Sequence, residues 1–140
     1  MNLRIRTGVD LMRVARIERV MRQYGDRFIT RIFTANEQAI CGDRVHAYAA
    51  RWAAKEAVAK LLGTGLQGLG SGSVALPWQS IEIQRNDHQK PLVCLHDRAA
   101  EVARQHHLCE IDISLSHDGD YVVASAVALQ IGDAEENPSC

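Results

Sequence analysis

The sequence predicts an α+β fold in which a mainly antiparallel sheet packs with one long helix. Alternating apolar residues mark several strands, and the later strands are joined by short turns, as in β-hairpins. The predicted helices are inserted in blocks between groups of strands, which is typical of α+β proteins. The segment 45–62 is rich in alanine and is the strongest predicted helix in the chain.

The N-terminal part begins with a predicted strand that ends near Asp10. Apolar residues then recur at helical spacing over 11–24, with Gly25 as a predicted stop. Asp10 is therefore expected at a strand-to-helix junction. Short helices are predicted around 28–32 and after Thr34, which opens a capping box.

The C-terminal part is predicted to alternate strands and turns after the long helix ends at the segment 63–65. Beyond a glycine-rich loop, the predicted elements are a strand at 81–83, its hairpin partner at 91–95, a helix that Asp97 caps and that runs to about His107, and strands at 111–115 and 121–129. Neither an internal repeat nor a linker divides the chain. We expect a single domain over 1–131 and a disordered acidic tail over 132–140.

Composition limits the functional classes. A chain of 140 residues that is 46% hydrophobic suits one domain with one core. A net charge of −1 is not the signature of a nucleic-acid-binding protein. The longest apolar run, 121–131, is too short to span a bilayer, and no signal peptide is recognisable, so we expect a cytoplasmic protein without a membrane partner. The cysteines lack the Cys-x-x-Cys pairing of zinc sites and are expected to be reduced.

Two acidic residues on separate elements are candidate ligands for a hard cation. Asp10 follows an apolar strand, although Asp10 alone is explained more simply as a helix cap. Glu56 shares a face of the long helix with Trp52 and Lys60, although Glu56 and Lys60 alone would suit a surface ion pair. Mg²⁺ takes one or two protein carboxylates together with phosphates and water. A nearby lysine would balance further phosphate charge.

Two other segments carry candidate functional groups. The strand end at 114–118 contains Ser116, His117 and an aspartate, but sequence neighbours on a strand point to opposite faces, so a phosphate-binding His117 is favoured over a catalytic triad. The exposed backbone amides of 63–65 could approach a phosphate, although the spacing is not that of a Walker motif. Both interpretations rest on local pattern alone.

Arginines recur every three residues on the first predicted helix, at Arg13, Arg16, Arg19 and Arg22. Two interpretations stay open. The arginines could form an ordinary solvated face, or they could recognise an acidic partner, since charge of one sign is concentrated here on a nearly neutral protein.

Together these segments resemble the holo-acyl-carrier-protein synthases, the short single-repeat members of the 4′-phosphopantetheinyl transferase superfamily. The resemblance is carried by Gly8-Val9-Asp10-Leu11, by the block from Arg51 to Lys60, and by the end from Ser114 to His117. It extends from about residue 6 to residue 129. One departure is Gln89, where the family often has glycine before Lys90-Pro91.

The resemblance implies a homotrimer with coenzyme A bound at each subunit interface. It places Asp10 and Glu56 at the metal-ligand positions, with Lys60 as a further catalytic residue. The positions that it assigns to the coenzyme A site are Arg51, Lys55, Lys60, Gly63, Pro91, Ser116 and His117. The positions that it assigns to docking of an acidic acyl carrier protein are Arg13, Arg16, Arg27 and Phe28.

The function expected from these residues and from the resemblance is Mg²⁺-dependent transfer of 4′-phosphopantetheine from coenzyme A to a carrier serine, with release of adenosine 3′,5′-bisphosphate. Glu56 or a metal-bound water would take the serine proton. Two alternatives are a metal-dependent hydrolase of coenzyme A or nucleotides and a catalytically silent, carrier-binding subunit. A basic helix would have no purpose in the first, and intact Asp10, Glu56 and Lys60 argue against the second.

Overall fold

A computed structural model describes residues 2–68 and 75–132 of the chain. The helices are α1 (Val14–Tyr24), α2 (Asp26–Ile32), α3 (Ala35–Cys41), α4 (Val45–Leu62) and α5 (Asp97–Gln105). The strands are β1 (Asn2–Arg13), β2 (Gly65–Leu66), β3 (Ala75–Leu76), β4 (Ile81–Arg85), β5 (Pro91–Leu95), β6 (Leu108–Asp118) and β7 (Tyr121–Gly132), and a short 3₁₀ turn spans Trp78–Ser80. The segment 69–74 of the glycine-rich loop and nearly all of the predicted acidic tail lie outside the described residues.

The main sheet has three antiparallel strands in the order β1-β7-β6. Strands β1 and β7 pair along their whole length, from Asn2 opposite Gly132 to Arg13 opposite Tyr121. Strands β4 and β5 form an antiparallel hairpin, and β2 and β3 form a short parallel pair. The predicted α+β fold with a mainly antiparallel sheet and one long helix is confirmed.

Helix α4 packs closely on one face of this sheet because both contact surfaces consist of small side chains. Strand β7 presents buried Ala124, Ala126 and Ala128, and α4 presents buried alanines at 53, 54 and 57. At the contact with β1 the residue is Gly8, where a Cβ atom would lie 2.0 Å from the carbonyl oxygen of Ala57. No side chain fits there, so the strand and the helix touch backbone to backbone.

A buried ion pair joins α3 to α4. Glu37 and Lys55 have fully buried side chains, and their charged groups are 2.7 Å apart. The Glu37 carboxylate also accepts hydrogen bonds from the backbone N–H groups of Thr34 and Ile83. The Lys55 ammonium also donates to the backbone oxygens of Trp78 and Ile81, which precede and begin β4. Burial lowers the pKa of Lys55, and the charge of Glu37 opposes that shift. Helices α3 and α4, the 3₁₀ turn and strand β4 therefore meet at this charged pair.

Most of the predicted helix boundaries agree with the structure. Helix α4 has the predicted limits and ends with Gly63 in the left-handed region, at φ 75°. Gly25 ends α1, and the capping box at Thr34 is formed with Glu37. Asp97 was expected to be a cap, but it is the first residue of α5 and His96 is at the cap position.

The predicted junction at Asp10 is wrong by three residues. Strand β1 continues to Arg13 because β7 offers partners as far as Tyr121, and α1 begins only at Val14. Apolar residues at helical spacing begin at Leu11, but pairing with the distant strand β7 keeps this segment extended as far as Arg13. Asp10 lies inside the strand and is not a helix cap.

The Glu37–Lys55 pair predicts a large effect on stability. Lys55→Met would keep the volume of the side chain but leave the Glu37 charge buried without its counter-ion, so the free energy of unfolding should fall by about 3–5 kcal/mol. Urea denaturation followed by circular dichroism would measure it. The control is Lys60→Met, five residues later on the same helix, where the exposed side chain predicts a change below about 1 kcal/mol. Equal effects of the two substitutions would contradict the assigned role of the buried pair.

Candidate active site

Asp10 projects towards α4 from the C-terminal part of β1. Gly8 and Met12, its neighbours on the same face of the strand, are buried, and Asp10 itself is half-buried. Lys60, in the last turn of α4, places its ammonium 3.2 Å from the Asp10 carboxylate and donates a hydrogen bond of 2.9 Å to the backbone oxygen of Val9. The strand and the helix thus bring together residues that are 50 positions apart in the sequence.

Glu56 adds a second carboxylate to this place. It lies one helical turn before Lys60 and is half-buried. Burial raises the pKa of Glu56, and the charge of Asp10 raises it further. Burial also raises the pKa of Asp10, and Lys60 and Arg16 offset only part of that rise. The two acids are therefore close, partly desolvated and insufficiently neutralised by the neighbouring cations.

This donor set fits a divalent metal ion. A cation between Asp10 and Glu56 would relieve their mutual repulsion, and carboxylate oxygens are the ligands that Mg²⁺ prefers. Within 2–68 and 75–132, no group of three or more histidine, cysteine, aspartate or glutamate side chains could hold a metal. The two carboxylates would therefore leave most coordination positions to water or phosphate oxygens, as Mg²⁺ commonly requires.

A basic-rimmed groove of about 690 Å³ is connected to the carboxylates through Arg16, although neither Asp10 nor Glu56 is among its described lining residues. Its lining includes Arg16, Arg27, Arg31, Phe28 and Trp52. The charge of Arg16 lowers the pKa of both Asp10 and Glu56, so the groove and the acids are electrostatically connected. The structure therefore brings together three of the four predicted docking residues.

The fourth predicted docking residue, Arg13, lies elsewhere. It is the last residue of β1, and its guanidinium carbon lies 5.1 Å from the centre of the Tyr121 ring. Arg13 is not among the groove residues that the structure describes. The expectation that Arg13 and Arg16 lie on the same helix is wrong, because α1 starts after Arg13.

Ser116 and His117 line a separate cleft of about 310 Å³, together with His46 and Ala50 at the start of α4. Neither Asp10, Glu56 nor Lys60 is among its lining residues. No local signal in the sequence pairs His46 with the end of β6. Pro91 begins β5, beside Lys90, whose ammonium binds Asp112 at 2.9 Å. The protomer thus places these predicted coenzyme A residues away from the acids.

Two predicted coenzyme A contacts, Lys55 and Arg51, are buried inside the protomer. Lys55 is fully buried, and its ammonium is occupied by Glu37 and two backbone oxygens, so no ligand reaches it. Arg51 is also buried and donates hydrogen bonds to the backbone oxygens of Ile83 and Ala47. Both residues belong to the inner side of α4, which the sequence motif alone does not distinguish from the outer side.

The sequence predicted that backbone N–H groups at the Gly63 end of α4 could approach a phosphate, and the structure gives them a different role. Gly63 is exposed just beyond Lys60, but its N–H and that of Thr64 donate to the last carbonyls of α4. They close the helix as a C-cap and are not free phosphate ligands. Gly63 still permits a close approach beside Lys60, since it has no side chain.

A family model described as the 4′-phosphopantetheinyl transferase superfamily matches residues 6–126. The chain belongs to this superfamily. The holo-[acyl-carrier-protein] synthases of Herpetosiphon aurantiacus and Chloroflexus aurantiacus are 42% and 47% identical to it, over 88% and 86% of this chain and 97% and 95% of their own lengths. The family resemblance found in the sequence is confirmed, and the chain is an enzyme of this superfamily.

Solved structures of the family share the fold. The holo-[acyl-carrier-protein] synthase from Neisseria meningitidis matches with a TM-score of 0.75 and 30% identity, over 88% of this chain and 96% of that one. The Helicobacter pylori enzyme, solved in complex with coenzyme A, matches with a TM-score of 0.73 and 26% identity, over 87% and 98%. No helix in the described part of this chain is long and apolar enough to cross a membrane.

The close contact at Gly8 predicts that the geometry of the site requires a residue without a side chain at this position. Gly8→Ala would place a methyl group against the backbone of Ala57 and Leu61, so α4 must move away from β1. We expect the free energy of unfolding to fall by about 1–3 kcal/mol, as for an overpacked core. Urea denaturation would measure this, and a crystal structure would show the separation of Asp10 from Glu56 increased.

Gly132→Ala is the matched control for Gly8→Ala. A Cβ atom at Gly132 would have its nearest contact at 3.9 Å, on the ring of His107. The free energy of unfolding should then stay within about 0.5 kcal/mol of the wild-type value. If Gly8→Ala behaved like Gly132→Ala, the backbone contact between β1 and α4 would not limit the fold.

Proposed function

We propose that this protein transfers the 4′-phosphopantetheine arm of coenzyme A to a serine of an apo acyl carrier protein, with Mg²⁺ as cofactor and adenosine 3′,5′-bisphosphate as the second product. The observation that carries the proposal is the convergence of Asp10, Glu56 and Lys60 beside an arginine-rimmed groove. Family membership supports it, since the relatives are named as holo-[acyl-carrier-protein] synthases.

The acidic pair and the lysine have different roles in the proposed reaction. Asp10 and Glu56 would hold Mg²⁺, which when bound supplies positive charge against the coenzyme A diphosphate. Lys60 has a half-exposed ammonium that already binds Asp10 and the Val9 oxygen, and its third N–H remains to neutralise the leaving phosphate. Glu56, the half-buried carboxylate of the pair, would also accept the proton of the carrier serine.

The carrier protein would dock in the groove. Arg16, Arg27 and Arg31 surround an apolar floor that includes Phe28 and Trp52. An acidic helix on the partner would find positive charge at the rim and apolar surface at the centre, which is the usual arrangement of a docking site. Because Arg16 also faces the carboxylates, a serine next to that acidic helix would arrive close to Asp10 and Glu56.

A homotrimer would complete the site. The face of the main sheet that α4 does not cover is apolar and exposed, with Leu3, Ile5, Val9 and Leu11 on β1 between 58% and 69% accessible. Such a surface favours association with further copies of the chain. Val9 and Leu11 flank Asp10, so a neighbouring subunit on this face would lie close to the acids. It could then supply Pro91, Ser116 and His117 to coenzyme A, which the protomer places elsewhere.

The groove favours this function over hydrolysis of coenzyme A. A hydrolase uses water as the nucleophile and needs no surface for an acidic protein, whereas here a basic groove of about 690 Å³ includes Arg16, whose charge acts on both carboxylates. A silent carrier-binding subunit would not need two partly desolvated acids whose pKa values are raised. The mass of the carrier after reaction distinguishes all three functions.

The first functional prediction concerns the carboxylates. Intact apo carrier incubated with coenzyme A, Mg²⁺ and the enzyme should gain the mass of one phosphopantetheine, as measured by mass spectrometry. Glu56→Gln keeps the side-chain size but removes the charge, and it should abolish the gain while the urea unfolding curve stays close to wild type. Free phosphopantetheine without carrier modification would indicate a hydrolase. Full activity of Glu56→Gln at low Mg²⁺ would exclude the metal assignment.

The second functional prediction concerns the groove. Arg16→Glu should raise the Michaelis constant for the carrier and leave that for coenzyme A nearly unchanged, with the larger loss at low ionic strength, where screening is weakest. Arg22→Glu is the control, since Arg22 lies on the same helix, pairs with Glu18 at 3.4 Å and is not among the described groove residues. Steady-state kinetics at two salt concentrations would measure both. Identical carrier constants for the two variants would remove the docking role of Arg16.

A further inference from the structure

The indole N–H of Trp52 lacks a hydrogen-bond partner. Trp52 is only 5% exposed, in the middle of α4. Among the side-chain nitrogen and oxygen atoms in 2–68 and 75–132, its Nε1 is the one that is buried without a partner. Leaving such a donor unpaired is destabilising, because the group loses its hydrogen bond to water without gaining another. An orphaned buried donor of this kind therefore requires an explanation, and one explanation is a role in function.

The carboxylate of Glu56 is the candidate acceptor. Glu56 follows Trp52 by four residues, so the two side chains lie on the same face of α4. Burial and the charge of Asp10 raise the pKa of Glu56, and the Trp52 side chain opposes that rise. The indole N–H is thus close enough to the carboxylate to act on it as a hydrogen-bond donor, although the two do not reach the geometry of an ordinary hydrogen bond in this state.

Of the two groups, the indole is the one held in place. The Trp52 ring stacks on Phe28 at 5.2 Å between ring centres and packs on Trp78 at 4.8 Å. The N–H of Trp78 is already satisfied by the backbone oxygen of Gln67, at 2.8 Å. Glu56 is only half-buried, so its carboxylate can turn while the indole stays in place.

We propose that Trp52 is a positioning residue whose indole N–H donates a hydrogen bond to one oxygen of the Glu56 carboxylate in the loaded enzyme. This inference rests on the proposed function, in which Glu56 acts as a carboxylate towards Mg²⁺ and the carrier serine. A hydrogen bond to one oxygen stops rotation of the carboxylate about its last bond and keeps the other oxygen directed at the site. Trp52 touches no reacting atom and acts through Glu56.

Trp52→Phe separates this role from packing, because phenylalanine keeps the stacking on Phe28 and Trp78 but has no N–H. A hydrogen bond between a donor and a charged acceptor contributes about 1.5–3 kcal/mol, so kcat should fall by about 10-fold or more. The Michaelis constants for both substrates should stay within about two-fold of wild type, since the groove retains its aromatic floor. The Mg²⁺ concentration for half-maximal activity should rise.

Tyr48→Phe is the matched control. Tyr48 lies one turn before Trp52 on α4, is 3% exposed, and its hydroxyl donates to the backbone oxygen of Gly42. The substitution also removes one polar hydrogen from a buried aromatic side chain, but far from Glu56. It should lower stability without the selective loss of kcat. If Trp52→Phe and Tyr48→Phe had equal kcat values, the positioning role would be overturned.

A direct measurement does not depend on activity or on the stability of a variant. The chain has two tryptophans, and their indole N–H signals can be resolved by NMR in the wild-type protein. Adding Mg²⁺ and coenzyme A should move the Trp52 signal downfield, as a new hydrogen bond to a charged acceptor does, while the Trp78 signal stays near its position. Thermal stabilisation of the same sample would establish that the ligands are bound.

A Trp52 signal that stays in place in the loaded protein would overturn the inference. Failure of the proposed function would be recognised by a separate result. The carrier would then gain no mass with the wild-type enzyme, whether or not the Trp52 signal moves.

Discussion

The buried pair of Glu37 and Lys55 is the constraint on which the rest of the structure depends. A charged lysine without exposure is tolerated only because a carboxylate and two backbone oxygens surround its ammonium. This requirement holds α3, α4 and the start of β4 in one arrangement. It also determines how α4 is rotated about its axis. Since successive helical residues differ by about 100°, an inward Lys55 directs the next residue, Glu56, towards the edge of the helix that faces Asp10.

A second constraint sets the distance between the acids. Gly8 and the alanines of α4 and β7 let the helix backbone rest on the sheet, and Asp10 follows Gly8 by two residues on the same face of β1. Strand geometry and helix position together bring two partly desolvated carboxylates towards each other, at a cost in electrostatic free energy that Lys60 and Arg16 reduce only in part. This unfavourable electrostatic contribution is confined to the site. The Glu37–Lys55 pair and the close-packed core hold the surrounding elements in place.

The described protomer presents three surfaces of different character. The arginine-rimmed groove includes Arg16, whose charge acts on both carboxylates, the uncovered apolar face lies on the other side of the strand that carries Asp10, and the cleft with Ser116 and His117 is separate from the acids. This division suits a reaction in which two large partners meet at a small charged centre. The aromatic cluster of Phe28, Trp52 and Trp78 lines the groove, and Trp52 shares a face of α4 with Glu56, four residues later.

The sequence by itself determined the limits of α4, the capping box at Thr34, the glycine stops and the candidate set of Asp10, Glu56 and Lys60. These follow from helical spacing, local hydrogen bonds and motif order, which act between residues close in the chain. Only the tertiary structure decided that β1 runs to Arg13, that Lys55 and Arg51 point inward, that Arg13 does not line the arginine-rimmed groove, and that His46 lines the same cleft as His117. Each of these depends on a partner far away in sequence: β7 for the strand end, Glu37 for Lys55, and β6 for His46. A local pattern contains no information about which distant group will take up a charge or a hydrogen bond.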